Sequence, residues 1–428
     1  MKPCELKNLI NNGTFDSKFV ELYDASAVSS QKERYILALD SFSSLFGEDR
    51  DVNIYSVSGR SELAGNHTDH NRGKVIAASI NLDIIAIASA NGTADINLKS
   101  EGFEQISVNY NQYTKPDERH FGTSASLIAG MCQGFIKNGH NVGGFDAYCT
   151  SSVLRGSGLS SSAAFEDMIG NILNHEFNGG EVSNVEIAQL AQYSENVFFG
   201  KPCGLMDQVA CAYGGIVSID FEDTKNPKIE KIDFDLTKAG YNLCIVDTGG
   251  NHADLTDDYA SVPVEMKSVA ALFGKEVLRE CSKSDTLARA QEIREKCGDR
   301  ALMRAIHFFD ENERVDSMKN SLKNNDLNTY FNGVLASGKS SFCYLQNVYT
   351  TKNITEQGLS LALCLTDGFM KGKDGAFRVH GGGFAGTIQA YIKESDVEEY
   401  RALMDSVFGE GACLVLRVRA DGAIKVNQ

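Results

Sequence analysis

Arg155-Gly156-Ser157-Gly158-Leu159-Ser160-Ser161-Ser162-Ala163-Ala164 joins a short strand candidate, residues 143–151, to a helical pattern running from about Ser161 to Phe177. Gly156 and Gly158 remove Cβ atoms where a backbone must come close to a ligand. The serines that follow open an apolar helix and offer hydroxyls and free N–H groups at its positive end. A polyphosphate fits such a turn. The pattern G-x-x-x-x-G-K-[ST] is absent, since no lysine follows the second glycine. Taken alone, the stretch is equally a plain strand-to-helix connection capped by serine.

Outward from this turn, strands and helices alternate without a regular βαβ beat. Residues 31–46 place apolar groups at helical spacing, and Gly47 ends the pattern. Residues 74–89, rich in Val, Ile and Ala, read as buried strands. Ser183 with Glu186 forms a capping box ahead of a helix reaching about Phe198. Residues 214–221 and 241–247 read as strands, and 264–335 is mostly helical. Strands at 377–380, 387–392 and 413–418 and a helix at 397–408 complete an α+β pattern. At 428 residues the chain exceeds what one core usually supports, so two domains are expected. Only five prolines occur, and no Pro-, Ser- or charge-rich linker divides them.

The net charge of −16 argues against nucleic acid or anionic membrane as partner. It leaves room for a phosphate ligand held by backbone N–H groups and one or two basic side chains. The eleven cysteines are scattered, without C-x-x-C spacing, and read as reduced thiols, most of them small core residues. With no apolar stretch of membrane length and no signal-like start, a cytoplasmic location is expected.

A second chemical segment is Ser58-Gly59-Arg60-Ser61-Glu62-Leu63-Ala64-Gly65-Asn66-His67-Thr68-Asp69-His70-Asn71, a polar loop between two apolar runs. No third cluster accompanies His67, Asp69 and His70 to complete a metal site. Asp, Asn and His match the alternating donors and acceptors of a sugar. A solvated polar loop is the plain alternative.

These segments and two later ones combine into a family pattern. Gly59-Arg60 through Gly65-Asn66-His67-Thr68-Asp69 resembles the galactokinase signature G-R-x-N-x-x-G-E-H-T-D-Y. Residues 156–164 resemble the phosphate loop of the wider galactokinase, homoserine, mevalonate and phosphomevalonate kinase family. Cys203-Gly204-Leu205-Met206-Asp207-Gln208 resembles C-G-I-M-D-Q, and Val379-His380-Gly381-Gly382-Gly383-Phe384-Ala385-Gly386 is similar to the family's last glycine-rich motif. The resemblance implies a two-domain α+β small-molecule kinase with its active site in the interdomain cleft. Residues 1–225 would form the N-terminal domain and 226–428 the C-terminal one, although the sequence does not mark the boundary.

By position, the resemblance makes Asp207 the catalytic aspartate and Arg60 its partner. Asn66, His67, Asp69, Gly204 and Tyr259 would bind the sugar, with Asp69 on its C3 and C4 hydroxyls. Gly156, Ser157, Gly158, Leu159, Ser160 and Ser161 would bind ATP, and Ser162 and Glu195 would hold Mg²⁺. Residues 381–383 would close over the site. The expected reaction is transfer of the γ-phosphate of ATP to the C1 hydroxyl of galactose, by a monomer.

The pattern has departures. Asn66 stands where galactokinases carry glutamate, Glu62 replaces the Asn of R-x-N, His70 replaces Tyr or Phe, and Arg155 replaces a proline. The chain lacks Trp, leaving the Phe121 region to stack near adenine. An amide at position 66 can donate to a C6 hydroxyl or a C6 carboxylate, so galacturonate is a second candidate, alongside N-acetylgalactosamine. A galactose sensor without activity is a third reading, opposed by the continuous Ser160–Ala164 run and by the presence of Arg60 and Asp207.

Overall fold

The computed structural model describes residues 1–153, 158–201, 203–250 and 255–428. Among the described residues, twelve strands fall into two sheets. The first contains β1 (Asn53–Ala64), β2 (Lys74–Ala90), β3 (Asp95–Ser100), β4 (Ile106–Asn109), β5 (Phe145–Ser151), β6 (Ile216–Asp220) and β7 (Lys228–Ile232). The second contains β8 (Tyr241–Asp247), β9 (Ala376–Val379), β10 (Thr387–Lys393) and β11 (Cys413–Leu416), in the order β11-β8-β10-β9. The last strand, β12 (Ala423–Lys425), returns to the first sheet and pairs with β1. That sheet therefore includes residues on the far side of a 225/226 division.

The long β2 strand serves two partners. Ile84–Ala90 pairs with β5, and Lys74–Ala78 pairs with β6. Its Val, Ile and Ala side chains are covered on both faces, which is why the segment reads as a continuous apolar run. β1 carries register shifts between Ser58 and Arg60 and between Glu62 and Ala64. Such bulges re-aim side chains, and here they fall in the segment that supplies Arg60 and Glu62. The polar pattern of residues 58–64 suggests a loop; they instead form a buried strand, because each buried polar side chain finds a partner from a distant part of the chain.

Fourteen helices cover the sheets among the described residues. The first three are α1 (Pro3–Asn11), α2 (Asp16–Leu22) and α3 (Val28–Phe46), and they pack Leu6, Phe19, Tyr35 and Phe42 against Ile54, Ile85 and Ile87. Next come α4 (Ser124–Lys137), α5 (Ser161–Phe177), α6 (Asn184–Tyr193) and α7 (Met206–Tyr213), which cover the first sheet. The second half adds α8 (Thr256–Ala271), α9 (Lys283–Ala288), α10 (Ala290–Cys297), α11 (Asp299–Lys323), α12 (Leu327–Ser340), α13 (Gly358–Phe369) and α14 (Val397–Phe408). One apolar cluster joins Leu63, Ile76 and Ile80 of the first sheet to Leu243, Ile245 and Leu416 of the second, so the sheets share a core. Cys132, Cys149, Cys211, Cys244 and Cys413 are buried; the other six are at least partly exposed, so core cysteines are fewer than the sequence suggests. No described helix is long and apolar enough to cross a membrane.

Asp83 of β2 is a polar hub within this core. Its carboxylate accepts from Arg34 at 2.7 Å, Arg419 at 3.0 Å, Tyr23 at 2.5 Å and Ser56 at 2.5 Å. Burial pushes its pKa up, but the two guanidiniums and these hydrogen bonds prevail and hold it below the ordinary carboxylate range.

Candidate active site

A cleft of about 540 Å³ opens where β1, the N-terminal end of α7 and the loop between β9 and β10 meet. At its base Arg60 faces Asp207 in a two-pronged ion pair, Nε to Oδ1 at 2.8 Å and Nη2 to Oδ2 at 2.7 Å. Arg60 also donates to the Gly158 carbonyl, and the Ser160 hydroxyl donates to Asp207 Oδ2. Burial raises the Asp207 pKa, but Arg60, the Ser160 hydroxyl and the Lys201 charge more than offset it, leaving the carboxyl below its usual range. It is therefore ionised at neutral pH, and the Arg60 fork fixes its direction.

Backbone strain is concentrated around this pair. Ser160, His67 and Phe384 hold φ values of 61°, 59° and 62°, which non-glycine residues rarely adopt. At Ser160 this conformation starts α5 and aims the hydroxyl at Asp207. Strain of this kind persists only where surrounding structure enforces it.

The sugar signature forms one wall. His67 is buried and its Nε2–H donates to the Gly382 carbonyl at 2.8 Å. Burial drives its pKa down to about 3, so the ring is neutral. Asp69 lies directly against Gly204, where an added Cβ would overlap Oδ2 and stand 3.2 Å from Cγ. Tyr259 of α8 packs its ring on His67 at 5.1 Å and its hydroxyl lies 3.1 Å from His70 Nε2. His67, Asp69, Gly204 and Tyr259 thus share one side of the cleft with Arg60 and Asp207.

Asn66 is not among the residues lining that cleft. It is wholly buried, with Nδ2 donating to Gly381 O at 2.6 Å and to Glu62 Oε1 at 3.1 Å. Its Oδ1 accepts from Asn347 at 2.8 Å and Ser341 at 3.2 Å. All four hydrogen-bonding positions of the amide are used within the protein. Glu62 instead reaches the cleft wall, with Oε1 held by Arg378 at 2.9 Å and by Asn66. The expectation that Asn66 touches the substrate is corrected here: its role is to tie β1 to the glycine-rich closing loop.

The cleft lining also includes Ser162, Glu195 and Lys201. A turn of π-helix, Ser194–Phe199, continues α6 and turns Glu195 inward, whereas a regular amphipathic helix would leave this charge at the surface. Glu195 accepts from Lys201 at 2.9 Å and from Gln208 at 3.0 Å. Gln208 also approaches Glu166 at 3.4 Å, and Glu166 Oε1 is buried without a partner. Burial, with Glu195 nearby, raises Glu166 well above the carboxylate range. A carboxylate and a hydroxyl, with a spare buried oxygen beside them, form an all-oxygen donor set that suits a hard divalent cation sharing nucleotide oxygens. Among the described residues, no group of three or more His, Cys, Asp or Glu could hold a metal on its own.

Of the expected nucleotide-loop residues, Gly156 and Ser157 lie outside the described residues. Gly158 borders the cleft, close to His380 and Thr387 of the closing motif. Leu159 is a buried core residue whose carbonyl accepts the Arg60 N–H, and Ser161 is the first residue of α5. Sequence reasoning passed over Lys201, His380 and Glu311. His380 is buried between Ser61 Oγ at 3.1 Å and Thr387 Oγ1 at 2.9 Å. Glu311 of α11 receives the Gly65 and Asn66 N–H groups and so fixes the turn carrying His67. His380, inside the glycine-rich motif, and Lys201, between Glu195 and Asp207, carried a local hint; Glu311 carried none.

Fold and site together define a small-molecule kinase of the GHMP class. The GHMP kinases N terminal domain model matches residues 126–215, and the galactokinase galactose-binding signature matches residues 40–90. Lactococcus lactis galactokinase, solved with galactose, superposes with a TM-score of 0.76 at 23% identity, over 91% of this chain and 98% of that one. Mevalonate kinase of Methanococcus jannaschii shares the fold at a TM-score of 0.59 and 15% identity, over 86% and 98%. Galactokinase of Glaesserella parasuis is 30% identical over 353 residues, covering 81% of this chain and 86% of that protein. That of Streptomyces coelicolor is 28% identical over 380 residues, covering 88% and 94%. The chain belongs to the galactokinase family.

Proposed function

We propose that the protein transfers the γ-phosphate of ATP to the C1 hydroxyl of galactose, giving galactose 1-phosphate and ADP. The observation that carries this reading is the Arg60–Asp207 fork in the cleft, with Asp69 and Ser162 lining the same cleft. His67, Asp69, Gly204 and Tyr259 bind and orient the sugar, and Gly156 to Ser161 cradle the nucleotide phosphates. The C1 oxygen bonds to the γ-phosphorus as the bond from that phosphorus to the β–γ bridging oxygen breaks, and ADP leaves with the electron pair.

Asp207 is a weak base in this setting. It points the hydroxyl at the phosphorus and receives its proton late, as suits a reaction governed by positioning and charge. Arg60 keeps Asp207 ionised and offsets charge on the transferring phosphoryl group. Ser162 and Glu195 hold Mg²⁺, whose chemistry is to neutralise phosphate charge. The location is cytoplasmic and the working unit a monomer.

Galacturonate fits less well. The case for it rested on a free amide at Asn66, and that amide is spent inside the protein. Purified protein with Mg-ATP and a panel of galactose, galacturonate, N-acetylgalactosamine and glucose tests the reading by ADP release and product mass. Turnover on galactose supports it. Faster turnover on another sugar, or sugar binding without ADP from any of them, overturns it.

A further inference from the structure

Among the described residues, Arg60 and Lys201 are the arginine and lysine side chains that border the cleft. Arg60 is committed to Asp207 and the Gly158 carbonyl. Lys201 is differently placed. It follows Gly200, whose φ of 80° ends the π turn, and its side chain is 61% exposed while that of its partner Glu195 is 3% exposed. Its ammonium reaches Glu195 Oε1 at 2.9 Å, in a cleft lining that also includes Ser162. The partner is thus a carboxylate that, on the reading above, passes to a divalent cation.

The two occupancies of Glu195 compete for the same oxygen. A divalent cation held by Glu195 would compete with the ammonium, and the released lysine would remain tethered beside the polyphosphate site. A chain of net charge −16 gains from such a cation when it takes up a nucleotide. We infer that Lys201 is a phosphate-binding residue that changes partners, holding Glu195 in the free protein and the terminal phosphates of the nucleotide once metal engages Glu195. The inference rests on the proposed nucleotide site and extends it to a residue no motif contributes. A lysine suits the role because its compact charge sits on a flexible stem, whereas Arg60 is locked in a planar fork.

The test uses the full-length protein with Lys201→Met and Lys201→Arg, read first by calorimetry without turnover. A non-hydrolysable ATP analogue with Mg²⁺ and ADP with Mg²⁺ are each expected to bind Lys201→Met about tenfold more weakly. AMP, which lacks the terminal phosphates, is expected to bind both proteins equally. Lys201→Arg should recover most of the loss. Without nucleotide, Mg²⁺ should bind Lys201→Met more tightly than the unaltered protein, because the competing ammonium is gone.

Unchanged analogue affinity in Lys201→Met, or an equal loss for AMP, overturns the inference. The outcome is separable from that of the proposed function. Failure to phosphorylate any sugar, with analogue binding still dependent on Lys201, refutes the function and leaves the inference standing. Turnover of galactose with analogue binding indifferent to Lys201 does the reverse.

Discussion

Gly204→Ala isolates the sugar wall from the rest of the site. A Cβ at Gly204 would fall well inside the 3.0 Å that real Cβ atoms respect from the nearest atom, Asp69 Oδ2, with Asp69 Cγ at 3.2 Å. The φ of Gly204 is not in the left-handed region, so alanine imposes no backbone strain. To restore an ordinary contact of 3.4 Å or more, the carboxylate must retreat by about an ångström. Asp69 is the end of a side chain near the cleft surface, so the retreat costs little fold stability. A displacement of this size at a substrate-orienting group lowers rate by up to roughly 100-fold. The expected fall in kcat/KM for galactose is therefore about tenfold to 100-fold, or roughly 1.4–2.7 kcal/mol of transition-state binding. Steady-state kinetics with galactose varied at saturating Mg-ATP reads the effect, and the same assay with ATP varied should show an unchanged KM for ATP. Thermal unfolding should move by no more than about 1–2 °C. Wild-type kcat/KM in this variant, with the melting temperature intact, would refute the placement of Asp69 on the sugar.

Asp207→Asn should lower kcat by about 100-fold or more, the scale of a lost proton acceptor, with galactose affinity by calorimetry nearly unchanged; wild-type kcat removes Asp207 from the chemistry. Asp83→Ala leaves Arg34 and Arg419 without their shared counter-ion and should cost about 3–5 kcal/mol in urea unfolding. Lowering the pH through the unfolded carboxylate range should narrow that difference, because the depressed pKa of Asp83 gives stability above this range that is lost as the pH falls through its folded value. His67, His307 and His380 are all held neutral by burial, below the ordinary 6.5. Below about pH 6.5 the unfolded chain takes up protons that these folded rings refuse, each lowering stability by up to about 1.4 kcal/mol per pH unit towards pH 5, while Glu166 and Asp167, whose carboxyl pKa values burial raises, act in the opposite sense. His307→Gln should therefore lose less stability between about pH 7.5 and pH 5 than the unaltered protein; an equal loss would show that the ring titrates when folded as it does when unfolded.

Several elements in both halves of the chain were legible because their punctuation is local. Residues 161–177, 241–247 and 397–408 carry start and stop residues and clean periodicity, and each is one element in the structure. The site was legible as a set of motifs but not as contacts. Arg60, Ser61 and Glu62 read as loop because three polar residues in a row have no local reason to be buried; their partners Asp207, His380 and Arg378 lie between 147 and 319 residues away. Asn66 misled for the same reason, since Ser341 and Asn347 are 275 and 281 residues distant. Helical periodicity by itself could not show that Glu195 is buried, because it assumes a regular helix and the π turn breaks that assumption. The three residues of β12 are too few to carry any alternation, so nothing marked their return to β1.

That return imposes an order on synthesis. The outer edge of β1 receives β12, and the Asp83 carboxylate below it receives Arg419, only when the last dozen residues have left the ribosome. The first sheet is otherwise fully translated by Ile232. Its completion therefore waits for roughly 190 more residues, about 10–40 s at ordinary elongation rates. Throughout that interval the nascent chain displays an unpaired strand edge, the feature most open to mispairing with neighbouring chains. The half of the protein made first is the half that closes last.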